Sequence, residues 1–409
     1  MRKLDATKVY WATSFLFGLL TSTIFTLNMV YQVTIVGLNP LQLVLVGTTL
    51  EATVFLFEIP TGVVADIYSR RLSTIIGFFL IGLGFLIEGS VPHFATVLLA
   101  QFVWGFGWTF VSGAWSAWIA DEVGQDKVAP IYLRGTQFDQ LGSLLGIPIS
   151  VLLGGIGLFL PILTGGGMSI ALALFLLLFM PEENFDPRPP EERDNWGMIL
   201  KTARDGLGLV RKSPVLLTFL VIGAFIGLSS EGYDRLWTAH ILENFQFPTI
   251  GDLSSETWFG IMRAGSMVFT LGATEIVKRK LEGLERKAMA AILQGFYGLM
   301  VISVILLALT DKIALAIVAY WLFGTVRATS YPLSTAWANQ YIDSKVRATV
   351  LSMISQVDAI GQVVGGPIVG MIGTVRSLRS ALVTTGIILS PVIPLYGHTK
   401  KQERSSREV

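Results

Sequence analysis

Apolar residues fill this chain in long runs separated by short polar breaks. The runs lie at 9–36, 41–61, 73–91, 94–120, 133–156, 159–180, 214–243, 257–277, 288–309, 312–338, 349–372 and 380–397. Each reaches the roughly 18–20 residues that a helix needs to cross about 30 Å of hydrocarbon. The pattern predicts an all-α membrane protein with twelve transmembrane helices. Its longest polar interruption, 181–213, divides the spans six and six. It predicts a six-helix bundle over 1–180, a linker over 181–213, a second six-helix bundle over 214–397 and a basic tail over 398–409. Inside the linker, Trp196, Ile199, Leu200, Ala203, Leu207 and Val210 recur at helical spacing after Asp194, a candidate N-cap. They read as an amphipathic helix on the membrane surface, or as a solvated linker with a chance pattern.

The first run follows Arg2, Lys3 and Lys8. It is longer than the roughly 7–15-residue core of a signal peptide and shows no clear small-residue cleavage site, so it reads as a retained first span. Basic residues then test the count. Of the 30 lysines and arginines, Lys312, Arg376 and Arg379 fall in loops on one side, and Arg235, Arg263 and Arg327 fall within spans. All the others share the opposite side with the two termini. That bias places both termini in the cytoplasm, and one missed span would scramble it.

Composition agrees: 52% of residues are hydrophobic, 14% are charged, and the mean hydropathy is +0.63. A net charge of +1 gives no sign of nucleic-acid binding. The absence of cysteine excludes disulfides, thiolate catalysis and cysteine-ligated metals.

The second half repeats the first. At a constant offset, Gly105, Trp118, Gln137, Asp139, Gly142, Gly146, Pro148 and Gly154 recur as Gly324, Trp337, Gln356, Asp358, Gly361, Gly365, Pro367 and Gly373. The shared core is Q-x-D-x-x-G-x-x-x-G-x-P. It maps span 4 onto span 10 and span 5 onto span 11, so the repeat is parallel and six spans long. Two such halves are a transporter architecture with a site near the midplane. Gly142 and Gly146, like Gly361 and Gly365, form small-xxx-small faces for close helix approach, and Pro148 and Pro367 bend or loosen their helices. Direct contact with a ligand is the other reading of these residues.

The loop after span 2 reads "GVVADIYSRRLS" from Gly62. This resembles the G-x-x-x-D-x-x-x-R-[RK] signature of the major facilitator superfamily, in the right loop of a twelve-span chain. The stretches "EIPTGVVAD" and "SGAWSAWIADEVG" look most like its drug-efflux group, the tetracycline- and macrolide-resistance-type exporters. The resemblance implies two pseudo-symmetric six-helix bundles in a cell membrane, as in the bacterial inner membrane. It also implies a cytoplasmic latch of Gly62, Asp66, Arg70, Arg71 and Asp121, with spans 1, 4, 7 and 10 lining the cavity. Gly62 is expected to let span 2 approach a neighbour closely, and Asp66 and Arg70 to pair one helical turn apart. A positive-inside anchor with helix capping is the plainer reading of the loop. Gln101 stands where related exporters carry an arginine, and "GSLLGIPISVLLGG" departs from the antiporter signature of span 5.

Embedded charges are the candidates for chemistry. Glu51, Glu231, Asp234, Asp139 and Asp358 are carboxylates inside spans, with Arg235, Arg263 and Arg327 as the cations. Such groups in lipid mark transport pathways or permanent ion pairs. Asp139 and Asp358, with Gln137 and Gln356, sit where an inner gate is expected. Arg327, Glu51, Arg263 and the span 7 group are the coupling or substrate candidates. On span 4, Trp104, Trp108 and Trp115 share one stripe that suits an apolar wall, or packing and interfacial anchoring.

Span 7 carries "LSSEGYDRLWTAH". Glu231 lies about 26 Å along a straight helix from Pro214, so the group falls in the outer third. Glu231 and Arg235 have the favourable order for an intrahelical pair. Asp234 is then a spare carboxylate at the mouth of the cavity, and Gly232 is expected to loosen the helix.

No G-x-x-x-x-G-K-[ST] loop is present, which disfavours an ATP-driven pump. His93, His240 and His398 are far apart, with no H-E-x-x-H or G-x-S-x-G, so an intramembrane enzyme lacks its parts. The expected protein is a monomeric, proton-coupled exporter of a lipophilic small molecule with no cofactor. Uptake of a nutrient, or movement of a lipid, is the alternative.

Overall fold

The structure, a computed structural model, describes residues 4–187, 208, 214–248, 253–281, 286–342 and 347–397. The linker helix expected over 194–210 lies outside them apart from Gly208, and so does the tail.

Among the described residues, all twelve apolar runs are helical. The helices are α1 (Ala6–Phe25), α2 (Asn28–Thr34), α3 (Pro40–Ile67), α4 (Arg70–Ser90), α5 (Phe94–Val111), α6 (Ala114–Val123) and α7 (Val128–Gly154). There follow α8 (Leu160–Phe179), α9 (Pro214–Asn244), α10 (Ser255–Leu281), α11 (Arg286–Leu309), α12 (Ile313–Asn339), α13 (Arg347–Val375) and α14 (Leu378–Leu389). Two runs that read as single spans are each two helices in tandem. α1 gives way to α2 at Thr26 and Leu27, and α5 to α6 at Ser112 and Gly113. Side chains satisfy the first amides of several helices. Asp5 accepts from Lys8 N at 3.1 Å, and Ser69 from Leu72 N at 2.9 Å. Gly124 ends α6 with a φ of 88°, a conformation that favours glycine.

Ten of the twelve spans are long and apolar enough to cross a membrane by length and composition alone. The other two, α7 and α10, carry charges such as Arg134, Asp139, Arg263 and Glu275.

The chain forms two compact units. The first comprises Met1–Leu38, Thr49–Asp194 and Thr249–Ile261. In it α1 packs along α7 and α8, and α4 packs along α5 and α8. The α1–α7 seam rests on glycine. A Cβ on Gly142 would strike the Phe15 carbonyl and come within 2.9 Å of Leu19 N, while one on Gly18 would strike the Asp139 carbonyl.

The second unit comprises Asn39–Thr48, Asn195–Pro248 and Met262–Val409. Here α9 packs along α13 and α14, and α11 packs along α12 and α14. This is the same pattern with every partner moved on by one repeat. The seam is equivalent too: Gly361 faces the Ala224 carbonyl and Leu228 N, and Gly227 faces the Asp358 carbonyl. The start of α3 belongs to this unit, with Leu41 N donating to Thr374 Oγ1 at 3.0 Å. The units therefore differ from an even division at the linker, because among the described residues 39–48 and 253–261 each group with the half to which the expected boundaries do not assign them. Pro148 and Pro367 lie inside helices that continue past them.

Candidate functional site

Four polar groupings stand out, and each lies within one unit. The first surrounds Arg70 at the start of α4. Its guanidinium bonds the Asp121 carboxylate, donates to the Ala117 carbonyl at 3.0 Å and lies 3.5 Å from Asp66. The five residues expected to form a latch do not act alike. Arg71 turns away and donates to the Leu177 carbonyl at 2.7 Å. Gly62 makes no close approach, since a Cβ there would meet nothing within 4 Å, so the expected helix contact at Gly62 is absent. One partner was not foreseen. Glu182, just past α8, accepts from Ser69 Oγ at 2.6 Å and from Arg71 N at 2.8 Å. A carboxylate at a helix N-terminus is favourably placed there.

The second grouping lines a cavity of about 640 Å³ in the second unit. Phe219, Trp337, Tyr297 and Tyr396 give it aromatic walls, and Arg327, Asp358 and Gln362 give it polar ones. Arg327 grips Asp234 with both terminal nitrogens, at 2.5 and 2.9 Å. Asp234 is therefore not a spare carboxylate: its partner sits on α12. Gln362 donates to Asp358 at 2.7 Å. Asp358, expected with an inner gate, thus shares a wall with Arg327, while Gln137 and Gln356 are exposed.

Close by on α9, Arg235 Nε lies 3.2 Å from Glu231, and both side chains are largely buried. Gly47 makes room for the pair, since a Cβ there would fall on the Glu231 carboxylate. The helix runs unbroken through Gly232, so the expected loosening there is absent. A Cβ at Gly232 would meet Val369 at 2.8 Å, so this glycine serves packing. Arg263, on α10, is half-buried and is not among the residues lining this cavity.

The third grouping lines a cavity of about 320 Å³ in the first unit, walled by Phe17, Phe85, Trp104 and Trp108, with Glu51 as its carboxylate. Trp104 stacks on Phe85 at 5.4 Å and Trp108 on Phe17 at 5.8 Å. Trp115, on the same predicted stripe, lies beyond the α5–α6 break and does not line the cavity; it packs against Tyr10, Phe78 and the back of the wall residue Phe17.

The fourth grouping escaped the sequence reading. Glu88, near the end of α4, is fully buried. Its Oε1 accepts from Asn28 Nδ2 at 2.8 Å and Gln32 Nε2 at 2.7 Å, and its Oε2 accepts from Gln101 Nε2 at 3.2 Å. The available signal was Asn28 and Gln32, one turn apart in an apolar run. No metal cluster of three His, Asp or Glu forms among the described residues.

Two bundles built on one repeated packing scheme, each with its own cavity, define a carrier of the secondary-transporter class. The chain belongs to the Major Facilitator Superfamily, whose sequence profile matches residues 9–366. It is 24% identical over 362 residues to the uncharacterized MFS-type transporter YxaM of Bacillus subtilis (strain 168), covering 87% of this chain and 86% of that protein. Its fold is similar to that of the nucleoside transporter NupG, with a TM-score of 0.74, 13% identity, and coverage of 97% of this chain and 98% of that one. It is also similar to a POT family transporter in complex with a thioalcohol conjugated peptide, with a TM-score of 0.73, 14% identity, and coverage of 97% and 96%. The chain is a membrane transporter and not an enzyme.

Proposed function

We propose that this transporter is a monomeric, proton-coupled exporter of a lipophilic, aromatic small molecule, working by alternating access. The observation that carries the reading is the 640 Å³ cavity, where aromatic walls meet Asp358 and Arg327, the latter held by Asp234 from behind the lining. Aromatic faces suit a flat apolar body, and a few placed charges fix its polar end. Embedded carboxylates supply groups that can exchange protons as their surroundings change. The basic loops support both termini being cytoplasmic, and the family resemblance supports a bacterial inner membrane. There the Arg70–Asp121–Asp66 cluster acts as the latch, with Asp139 as part of the inner gate.

Uptake of a polar nutrient is the second reading. Arg327, Asp358 and Gln362 in one wall favour it, as they suit a hydrogen-bonding substrate such as the nucleosides or peptides of the transporters with similar folds. Everted and right-side-out vesicles under an imposed pH gradient separate the two, with ethidium as an aromatic probe and a radiolabelled nucleoside as a polar one. Export predicts gradient-driven ethidium uptake into everted vesicles. Accumulation of the nucleoside alone, and only in right-side-out vesicles, would overturn it.

A further inference from the structure

We propose that the 640 Å³ cavity of the second unit takes a protonated amine on an aromatic body, with Asp358 as the carboxylate that receives its N–H groups. The inference rests on the reading of this cavity as the substrate site and narrows the substrate to one chemical class.

Charge is the first argument. Arg327 and Asp358 are the two charged residues of the lining. Arg327 turns both terminal nitrogens to Asp234, and that pair cancels. Asp358 is half-buried, and among the described residues it has no ion-pair partner. Its one hydrogen bond comes from Gln362 Nε2, at 2.7 Å, and falls on Oδ2. The wall thus keeps the single negative charge of Asp358. Taking an ionised carboxylate out of water is costly unless a counter-charge compensates it. A cationic ligand supplies that charge. An anionic ligand would be repelled by Asp358 and would find the Arg327 fork already occupied.

Hydrogen bonding is the second argument. Four hydroxyls of the lining give their hydrogens to carbonyls of their own helices. Ser230 donates to Gly227 at 3.1 Å, Ser330 to Val326 at 2.7 Å, Thr335 to Tyr331 at 3.1 Å and Ser355 to Leu351 at 3.2 Å. A hydroxyl carries one hydrogen and two lone pairs, so each of these oxygens has only acceptor capacity left. Ser334 and Tyr396 bond each other at 3.0 Å. The indole nitrogen of Trp337 has no partner, but it is itself buried. The cavity therefore offers a ligand mainly acceptors, and the ligand that answers them is a donor.

Placement joins the two arguments. Ser355, Asp358 and Gln362 follow one another at one-turn spacing on α13, and all three line the cavity. With its nitrogen on Asp358, Gln362 leaves its carbonyl oxygen as a further acceptor. Asp358 is thus the charged centre of an acceptor stripe. An ammonium presents a positive charge and up to three N–H donors to such a stripe, in charge-assisted hydrogen bonds. A quaternary ammonium brings the charge without the donors, and an alcohol brings a donor without the charge. The aromatic walls at Phe219, Tyr297 and Trp337 take the apolar body.

The test is calorimetric binding to the purified protein in nanodiscs at neutral pH, which needs neither a gradient nor a direction of transport. Four ligands share one naphthalene body: 1-naphthylmethylamine, its trimethylammonium analogue, 1-naphthylmethanol and 1-naphthylacetate. The amine is cationic under these conditions, as an alkylamine is. It is expected to bind more tightly than the trimethylammonium compound, and about tenfold or more tightly than the alcohol and the acetate. Asp358→Asn is expected to lose that preference. Should the variant fold poorly, the order of the four ligands on the parent decides alone. Failure of the amine to bind, or binding of any of the other three as tightly as the amine, would overturn the proposal. So would an Asp358→Asn protein that keeps the preference. Failure of everted vesicles to take up ethidium would instead count against the exporter reading alone, because binding has no direction.

Discussion

Asp234 on α9 and Arg327 on α12 are joined by two hydrogen bonds, of 2.5 and 2.9 Å, that bridge two helices of the second unit. The fork of a guanidinium matches a carboxylate in a way that a lysine ammonium cannot. Both side chains remain over a third exposed, 42% and 36%, so the pair contributes only about 0–1 kcal/mol to stability. Its geometry matters more to what the cavity can hold. Arg327→Lys is therefore expected to fold normally while losing about tenfold in transport, equivalent to about 1.4 kcal/mol. Detergent melting curves beside vesicle transport of ethidium check this. Parent-like transport by Arg327→Lys would make the pair scaffold alone.

Two glycines of the first unit should respond differently to alanine. Gly142 sits in the α1–α7 seam, where an added methyl group would meet backbone. Overpacking of this kind costs about 1–3 kcal/mol. Gly62 lies within α3 with nothing near its missing side chain. Alanine there gains up to about 1 kcal/mol of helix propensity. Gly142→Ala should lower the melting temperature, and Gly62→Ala should leave it level or raise it. If Gly62→Ala melts normally yet fails to transport, the glycine serves a conformation other than this one.

Much of this fold was legible because hydropathy and the repeat are written along the chain. The apolar runs ended within a few residues of helices such as α8 and α9, and Gly142 and Gly361 marked seams that pack alike. The breaks at Thr26–Leu27 and Ser112–Gly113 were not legible, since apolar residues continue across them and hydropathy does not register a local interruption of backbone hydrogen bonding. Nor was the partner of Asp234, which lies 93 residues away and meets it only through helix packing. Glu88 was missed for the same reason: its donors come from separate helices, and each amide alone is unremarkable in sequence. Glu182 was hidden by its position in what read as the start of a linker.

The proposed latch should separate by partner. Arg70 bonds three acceptors from two segments, and its side chain is only 17% exposed. Removing one member of such a charge-assisted cluster costs about 1.5–3 kcal/mol. Asp121→Asn and Arg70→Lys should therefore express normally and transport poorly. Glu182→Gln keeps an oxygen to accept from Arg71 N, and its amide nitrogen can donate to Ser69 Oγ in place of accepting from it, so its loss should be several-fold smaller. Transport rates normalised to the amount of purified protein check the order. Equal losses for Glu182→Gln and Asp121→Asn would show that Glu182 belongs to the latch itself.

Trp118 and Trp337 occupy matching places in the repeat, and both are 1% exposed. Their indole nitrogens fare differently. Trp118 Nε1 donates to the Pro181 carbonyl at 2.7 Å, tying α6 to the segment that carries Glu182. Trp337 Nε1 is buried without a partner, although its ring packs against Phe219 and Tyr396. Replacing either by phenylalanine removes a similar volume from a similar site. Trp118→Phe also strands a carbonyl, at a cost of about 1–3 kcal/mol, whereas Trp337→Phe relieves an unsatisfied donor. Trp118→Phe should thus be the more destabilising of the two in thermal unfolding of the purified protein. A larger loss from Trp337→Phe would mean that ring volume, and not the indole bond, sets the cost at these paired sites.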